Sequence, residues 1–238
     1  MRTQNYLVLV LDLCKGDTLR NFILNHGQAS EDQVQEIFRE IVLAVEYCHA
    51  RGICIRDIKP ENILFVEHPK TSLRIKMCDF GFSKDASEHS LADSLAGTPY
   101  FVAPEIIEAQ EVPGVHYDGK SADIWSIGVT LYVMMYRRYP FTAPRPRRYN
   151  VQSLNFPEIP VPSAEFKDLL ECMLKPEPGN RYTARQVMTH PWFRRGMLDG
   201  ERNEILIYND LVRISFEDQH RAWVSHAFFC FVPLDSSE

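Results

Sequence analysis

Two carboxylates, a carboxamide and a lysine fall close together in polar parts of the chain. Asp57, Lys59 and Asn62 lie within Asp57-Ile58-Lys59-Pro60-Glu61-Asn62, and Asp79 opens Asp79-Phe80-Gly81. Aspartate and asparagine oxygens are hard donors that suit a divalent cation such as Mg²⁺. A carboxylate can also accept a proton, and a lysine can neutralise an anionic group. Read one at a time, the same residues are ordinary turn carboxylates and amides at strand ends. Other chemistries find less support. The six cysteines (Cys14, Cys48, Cys54, Cys78, Cys172, Cys230) are scattered without zinc-knuckle spacing. Free thiols in a reducing compartment are expected. Acidic residues exceed basic ones by 32 to 26, a net charge of −6, so no nucleic-acid partner held by a broad basic face is expected.

The elements that must position these residues follow from periodicity. The chain has 238 residues, 45% hydrophobic and 24% charged, enough for one or two domains with a buried core. Residues 6–11 read as a buried strand; Asp12 and Asp17 interrupt any signal peptide there. Lys15-Gly16-Asp17 is a turn, and Asp17 or Thr18 can cap a short helix through about Asn25. Ser30 and Gln33 form a capping box. The helix they open carries Val34, Ile37, Phe38, Ile41, Val42, Val45 and Cys48 on one stripe and stops near Gly52. Residues 53–62 are irregular, short strands are expected at 63–66 and 73–78, and 82–104 reads as a long loop. The helix predicted over Ser121–Tyr136 is apolar on nearly all sides, so it is expected at the centre. Residues 139–162 hold six prolines and read as a linker. Helices follow at 163–174 and 183–189. The tail after Arg194 is apolar enough to pack partly on the rest. No run of 18 apolar residues occurs, so no membrane span is expected.

The motifs gain meaning as an ordered set. Asp57–Asn62, Asp79-Phe80-Gly81 and Ala103-Pro104-Glu105 occur in the order of the eukaryotic protein-kinase signature. Asp123-Ile124-Trp125-Ser126-Ile127-Gly128 and Asn180-Arg181 extend the match. The chain therefore resembles a serine/threonine protein kinase over residues 1–193, with 194–238 as a tail of unknown role. Thr98-Pro99-Tyr100 and Tyr117-Asp118-Gly119-Lys120 are similar to the calcium/calmodulin-dependent kinase group, and to plant-type kinases related to the sucrose-nonfermenting kinase. The resemblance implies an α+β, mainly α fold: the C-terminal lobe of a kinase, with the N-terminal lobe largely missing. It implies ATP and Mg²⁺ as cofactors and a protein substrate, in the cytoplasm or the nucleus.

The same resemblance assigns roles. Asp57 corresponds to the carboxylate that accepts or orients the substrate proton, Lys59 to the neutraliser of the moving phosphoryl group, and Asn62 and Asp79 to the Mg²⁺ ligands. Lys59 and Gly97-Thr98-Pro99 point to Ser/Thr rather than Tyr substrates, with Thr98 touching Asp57 and Lys59. Glu105 and Arg181 resemble a buried ion pair, and Asp123 the acid that holds the catalytic-loop backbone. Leu11 falls at the gatekeeper place, Asp12 and Cys14 at the hinge that meets adenine, and Leu64 beneath the ring; ordinary strand and core packing explains these four nearly as well. Arg56 resembles the arginine that meets an activation-loop phosphate, which an upstream kinase could place on Ser90 or Ser94. Asp93 offers a permanent charge instead.

Three departures qualify the match. None of the 11 glycines forms Gly-x-Gly, and nothing before Tyr6 supplies the family's ATP-anchoring lysine. The chain alone is therefore expected to turn over slowly, unless the missing lobe is encoded upstream. Ile55 stands where the family has His, or sometimes Tyr, and cannot donate a side-chain hydrogen bond. The stretch from Phe141 to Pro162 is shorter than the family's. A serine/threonine kinase is the leading reading, and a catalytically weak or inactive kinase-like binding module is the alternative.

Overall fold

Side-chain caps start the helices at the places their sequences mark. Thr18 accepts a hydrogen bond from the Asn21 amide at 3.1 Å and opens α1 (Leu19–Asn25). Ser30 and Gln33 cap each other's backbone amides at 3.2 and 3.1 Å and open α2 (Glu31–Ala50). The computed structural model describes residues 11–70, 73–81, 83–85, 100–111, 116–141 and 154–197. Residues 6–10 of the expected first strand, Ser90, Ser94, Thr98, Cys230 and the tail beyond Met197 lie outside them.

After α2 the chain turns at Gly52, whose φ of +74° is a left-handed conformation that glycine adopts without steric penalty. It then enters two short antiparallel ribbons. β1 (Ile53–Cys54) pairs with β4 (Lys84–Asp85), and β2 (Ile63–Phe65) pairs with β3 (Ile75–Met77) in the register Leu64↔Lys76. Residues 55–62 thus run from β1 to β2, and residues 78–83 from β3 to β4. The two loops that carry the candidate chemistry are held at both ends by the same pair of ribbons.

The remaining elements are helical. α3 (Pro104–Glu111) follows the Ala-Pro-Glu motif, and α4 (Gly119–Tyr136) starts on an Asp118 cap. α5 (Ala164–Met173) is capped by Ser163, α6 (Ala184–Thr189) by a Thr183/Gln186 box, and α7 (Pro191–Arg194) by His190. Trp125 and Leu131 of α4 are both fully buried, as an all-round apolar helix requires. α4 packs on α2 and α5, and α2 also receives α6 and α7. The fold is mainly helical with short antiparallel strands, as expected for the lower lobe of a kinase.

Three elements were not legible in the sequence. β4 lies inside the expected 82–104 loop, where two backbone pairs leave no periodicity to read. α3 is eight residues long and begins with a proline, so its buried Ile106 and Ile107 do not complete a stripe. α7 has only four residues. No helix among the described residues is long and apolar enough to cross a membrane. The start of the tail stays on α2: Arg39 donates to the Arg195 carbonyl, and Met197 packs against the core.

Glu31 ties this end of the molecule together. Its carboxylate accepts from Ser163 Oγ at 2.6 Å, the Ser163 amide at 2.9 Å, Trp192 Nε1 at 2.8 Å and Arg195 Nη1 at 2.9 Å. Burial alone raises the Glu31 pKa; the bonds from Ser163, Trp192 and Arg195 outweigh it and hold the pKa below the ordinary glutamate value. A depressed carboxyl stabilises the fold above its unfolded pKa, and that contribution is lost as pH falls through the folded one. Glu31→Gln is expected to destabilise the protein by about 1–3 kcal/mol at neutral pH. The deficit should shrink below the ordinary glutamate range. Urea unfolding at pH 7 and pH 4 checks this, and an equal deficit at both would refute it.

Candidate active site

The loop that carries Asp57 hangs from one buried carboxylate. Asp123, on α4, has a side chain with no exposed surface. Its Oδ2 accepts the Ile55 amide at 2.8 Å, and its Oδ1 accepts the Arg56 amide at 2.7 Å. His49 Nε2, near the end of α2, lies 2.9 Å from Asp123 Oδ2. Arg56 is held at φ +71°, a left-handed conformation uncommon for a residue with a side chain. Ile55 is buried and contributes its backbone N–H to this anchor.

The next residues form the reactive cluster. Asp57 is only 4% exposed. Lys59 Nζ donates to Asp57 Oδ2 at 2.7 Å, and Asn62 Nδ2 donates to the same oxygen and to the Asp57 carbonyl, both at 2.9 Å. The 3₁₀ turn Pro60–Asn62 makes this possible by closing the loop back on itself, with the Asn62 amide 2.9 Å from the Lys59 carbonyl. Asp57, Lys59 and Asn62 are therefore brought together as expected. Asp79 joins them through the backbone: the Cys78 amide donates to the Asn62 carbonyl at 2.9 Å. Asp79 is half-buried at φ +63°, and its Oδ1 accepts the Gly81 amide at 3.3 Å.

The donor set fits a Mg²⁺ ion that arrives with phosphates. The Asn62 nitrogen is used on Asp57, so its amide oxygen is the atom left for a cation, and the Asp79 carboxylate is a second hard donor. Mg²⁺ is commonly held by one or two carboxylates together with substrate phosphates. Among the described residues no cluster of three or more His, Cys, Asp or Glu side chains forms a cage for a metal ion.

Asp12, Cys14 and Leu64 share one edge. The Lys15 and Gly16 amides donate to the Val66 and Phe65 carbonyls at 3.0 and 3.2 Å, and Thr18 bridges to Leu64. Leu64 is half-buried between this segment and β3. Asp12 is exposed and pairs with Lys76 of β3, Cys14 is half-buried, and Leu11 is 42% exposed rather than packed in a core.

α4 also fastens the segment that leads into α3. Arg181 Nη1 and Nη2 meet Glu105 Oε1 and Oε2 at 2.7 and 3.1 Å. Arg181 donates further to the carbonyls of Ser121, Lys175 and Pro176, and its guanidinium lies 5.2 Å from the Trp125 ring centre. Ser126 Oγ donates to the Phe101 carbonyl at 2.9 Å. Tyr100 stacks on Tyr139 at 4.1 Å. Burial, with Asp123 nearby, pushes the thiols of Cys48 and Cys54 up to about 12, so neither is a nucleophile at neutral pH. The five described cysteines are all free thiols.

His49 was missed by sequence reasoning. Its only trace is that Glu46 and His49, three apart, interrupt an otherwise apolar helix face with groups that are themselves buried.

The protein kinase domain model matches residues 1–193. The chain belongs to the protein kinase family. It is 38% identical over 203 residues to serine/threonine-protein kinase SAPK7 of Oryza sativa subsp. japonica, covering 82% of this chain and 55% of that one. It is 40% identical over 204 residues to serine/threonine-protein kinase SRK2F of Arabidopsis thaliana, covering 82% and 56%. It is 37% identical over 205 residues to serine/threonine-protein kinase SRK2A of Physcomitrium patens, covering 83% and 57%. The chain spans just over half the length of the curated relatives it matches.

In this kinase domain the Glu105–Arg181 pair is buried at both ends, so removing one partner strands the other. Arg181→Ala is expected to destabilise by about 3–5 kcal/mol, whereas Glu105→Leu/Arg181→Met should recover most of that loss. Urea unfolding of the two variants checks it. A mild Arg181→Ala would show that the pair is solvated.

Proposed function

We propose that this chain is the catalytic lobe of a serine/threonine protein kinase, moving the γ-phosphoryl group of ATP to Ser or Thr of a protein. One observation carries the reading: a buried Asp57 carboxylate clamped on one oxygen by Lys59 at 2.7 Å and Asn62 at 2.9 Å. Asp57 Oδ1 is then the oxygen left to face an incoming hydroxyl. It orients the hydroxyl and takes its proton as the new O–P bond forms and the bond from the γ-phosphorus to the bridging oxygen breaks, with ADP as the leaving group. Lys59, already beside Asp57, offsets negative charge on the group in transfer. Asn62 and Asp79 would hold Mg²⁺, which when bound neutralises phosphate charge. Asp12, Cys14 and Leu64 would lie along adenine.

Lys59, the Gly97-Thr98-Pro99 sequence and the relatives' names support Ser/Thr substrates. Within the serine/threonine kinases, the plant relatives support the sucrose-nonfermenting-related type. The calcium/calmodulin-dependent grouping rests only on the wording at Thr98–Tyr100 and Tyr117–Lys120. Residues 1–193 would form the kinase part, and 194–238 a tail. Arg56 is buried, and its Nε has no hydrogen-bond partner among the described residues. That supports a phosphate on Ser90 or Ser94, added by an upstream kinase, as its partner.

The second reading, a kinase-like module that binds without catalysis, is favoured by Ile55. Buried there, it supplies no side-chain hydrogen bond to the Asp79-Phe80-Gly81 segment. Incubating the full-length protein with Mg·ATP and dephosphorylated casein separates the two. Phosphoserine or phosphothreonine is expected, and Asp57→Ala should lower turnover about 10²–10⁴-fold. Asp79→Ala should abolish transfer by weakening metal binding. Nucleotide binding without any transfer would select the binding module. Phosphatase treatment and Ser90→Ala/Ser94→Ala should each lower activity; full activity after both would point to Asp93 instead.

A further inference from the structure

An uncovered apolar surface lies just ahead of α5. Ile159 and Val161 are 85% and 80% exposed, two of the three most exposed large apolar side chains among the described residues. They stand two positions apart, so both belong to one short stretch. That stretch ends in a firm anchor: Pro162 is buried, and Ser163 is tied to Glu31 of α2 through both its amide and its hydroxyl. Apolar side chains held at the surface in this way favour whatever takes them out of water.

The chain leaves α7 from the same anchor. Glu31 Oε1 accepts Ser163 Oγ at 2.6 Å and Arg195 Nη1 at 2.9 Å, so residues 163 and 195 meet on one oxygen atom. Arg195 also meets Asp32 at 3.1 Å. Gly196, at φ +79°, turns the backbone, and the Met197 amide donates to the Arg194 carbonyl at 3.1 Å. Residues 198–238 follow from this point, and their first run of four apolar residues is Ile205-Leu206-Ile207-Tyr208.

Reach decides where that run can go. The chain from Met197 to Ile205 spans at most about 29 Å when extended. Val161 is two residues from Ser163, about 7 Å of extended chain, and Ser163 already shares an atom with Arg195. The surface is therefore within reach with slack. The loop carrying Asp57 is anchored near the other end of α2, at the level of His49, about 27 Å along the helix from Glu31.

We propose that Ile205–Tyr208 docks on Ile159 and Val161, so that the chain's own tail straps the Glu31 end of the protein. The proposal concerns the end of α2 remote from Asp57 and does not depend on phosphoryl transfer.

The test uses the full-length protein and trypsin, with Arg202 and Arg213 flanking the run as cleavage sites. Cleavage of a locally opened segment tracks how often it opens. Ile159→Asp/Val161→Asp should speed cleavage at both sites about 10-fold, and Leu206→Asp/Ile207→Asp should match it. All four substitutions together should add nothing further, because each pair already releases the same contact. Leu13→Asp is the control: Leu13 is 82% exposed, in the segment that runs beside β2, and cleavage should stay at the wild-type rate.

Wild-type cleavage in either pair would overturn the strap. So would acceleration by Leu13→Asp equal to that of the pairs, or a rate for the fourfold variant well beyond either pair. Ile159→Ser/Val161→Ser carries the same comparison if the aspartate pair unfolds the protein. Rates are read at two protein concentrations tenfold apart. Equal rates support docking within one chain, and protection that grows with concentration would assign the run to a second copy and overturn the proposal.

Discussion

The structure depends on placing one ionisable carboxylate, Asp123, where water cannot reach it. A buried carboxylate is strongly unfavourable unless its oxygens meet hydrogen-bond donors. Asp123 finds them in two consecutive backbone amides and a histidine. Immediately after the second of these amides the chain turns sharply, with Arg56 at φ +71°. Such a conformation costs on the order of 1–3 kcal/mol and persists where its surroundings over-determine it. Here they do, with an amide bond on each side of the Ile55–Arg56 peptide and the β1 ribbon just before it. The bend sends residue 57 back toward the 3₁₀ turn, and Lys59 and Asn62 close on it.

α4 does this twice over. Its first turns present Asp123 to the catalytic loop, and also Ser121 and Ser126 to the segment around Arg181 and Phe101. Two loops far apart in sequence are referenced to one rigid, wholly buried helix. That explains why α4 is apolar on every side yet carries Asp123, Ser126 and Thr130 in its interior. These three are satisfied: Asp123 accepts three N–H groups, Thr130 Oγ1 donates to the Ser126 carbonyl at 2.9 Å, and Ser126 Oγ donates to the Phe101 carbonyl. An unpaired polar group there would offset much of what the helix gains by burial.

These relations were unevenly legible. The caps at Thr18, Ser30 and Thr183 are local, set by residues within three positions, and the sequence displays them directly. The α2 stripe and the buried α4 follow from composition along a single element. Asp57, Lys59, Asn62, Asp79, Glu105, Asp123 and Arg181 stood out through their motifs, not through any spacing rule. What escaped was what depends on distant partners. β4 exists only because β1 is 31 residues away, with Ile53 opposite Asp85. His49 matters only because Asp123 lies 74 residues later. The local sequence of β4 reads as loop, and that of His49 differs from a surface histidine's only by its place on the largely apolar face of α2.

The replacement of histidine by Ile55 follows from the same logic. The resemblance implies at this place a side chain that packs beneath the Asp79-Phe80-Gly81 segment and hydrogen-bonds it. In this chain the side chain is apolar and fully enclosed, so hydrogen-bonded restraint on the loop falls to the backbone amides and to what holds Asp123 in turn. Phosphoryl transfer asks little covalent chemistry of the protein and depends mostly on where charged groups are held. A loop that gives up one side-chain contact can keep its geometry if the carboxylate beneath it is restrained more firmly. His49 Nε2, 2.9 Å from Asp123 Oδ2, adds a side-chain donor to that carboxylate.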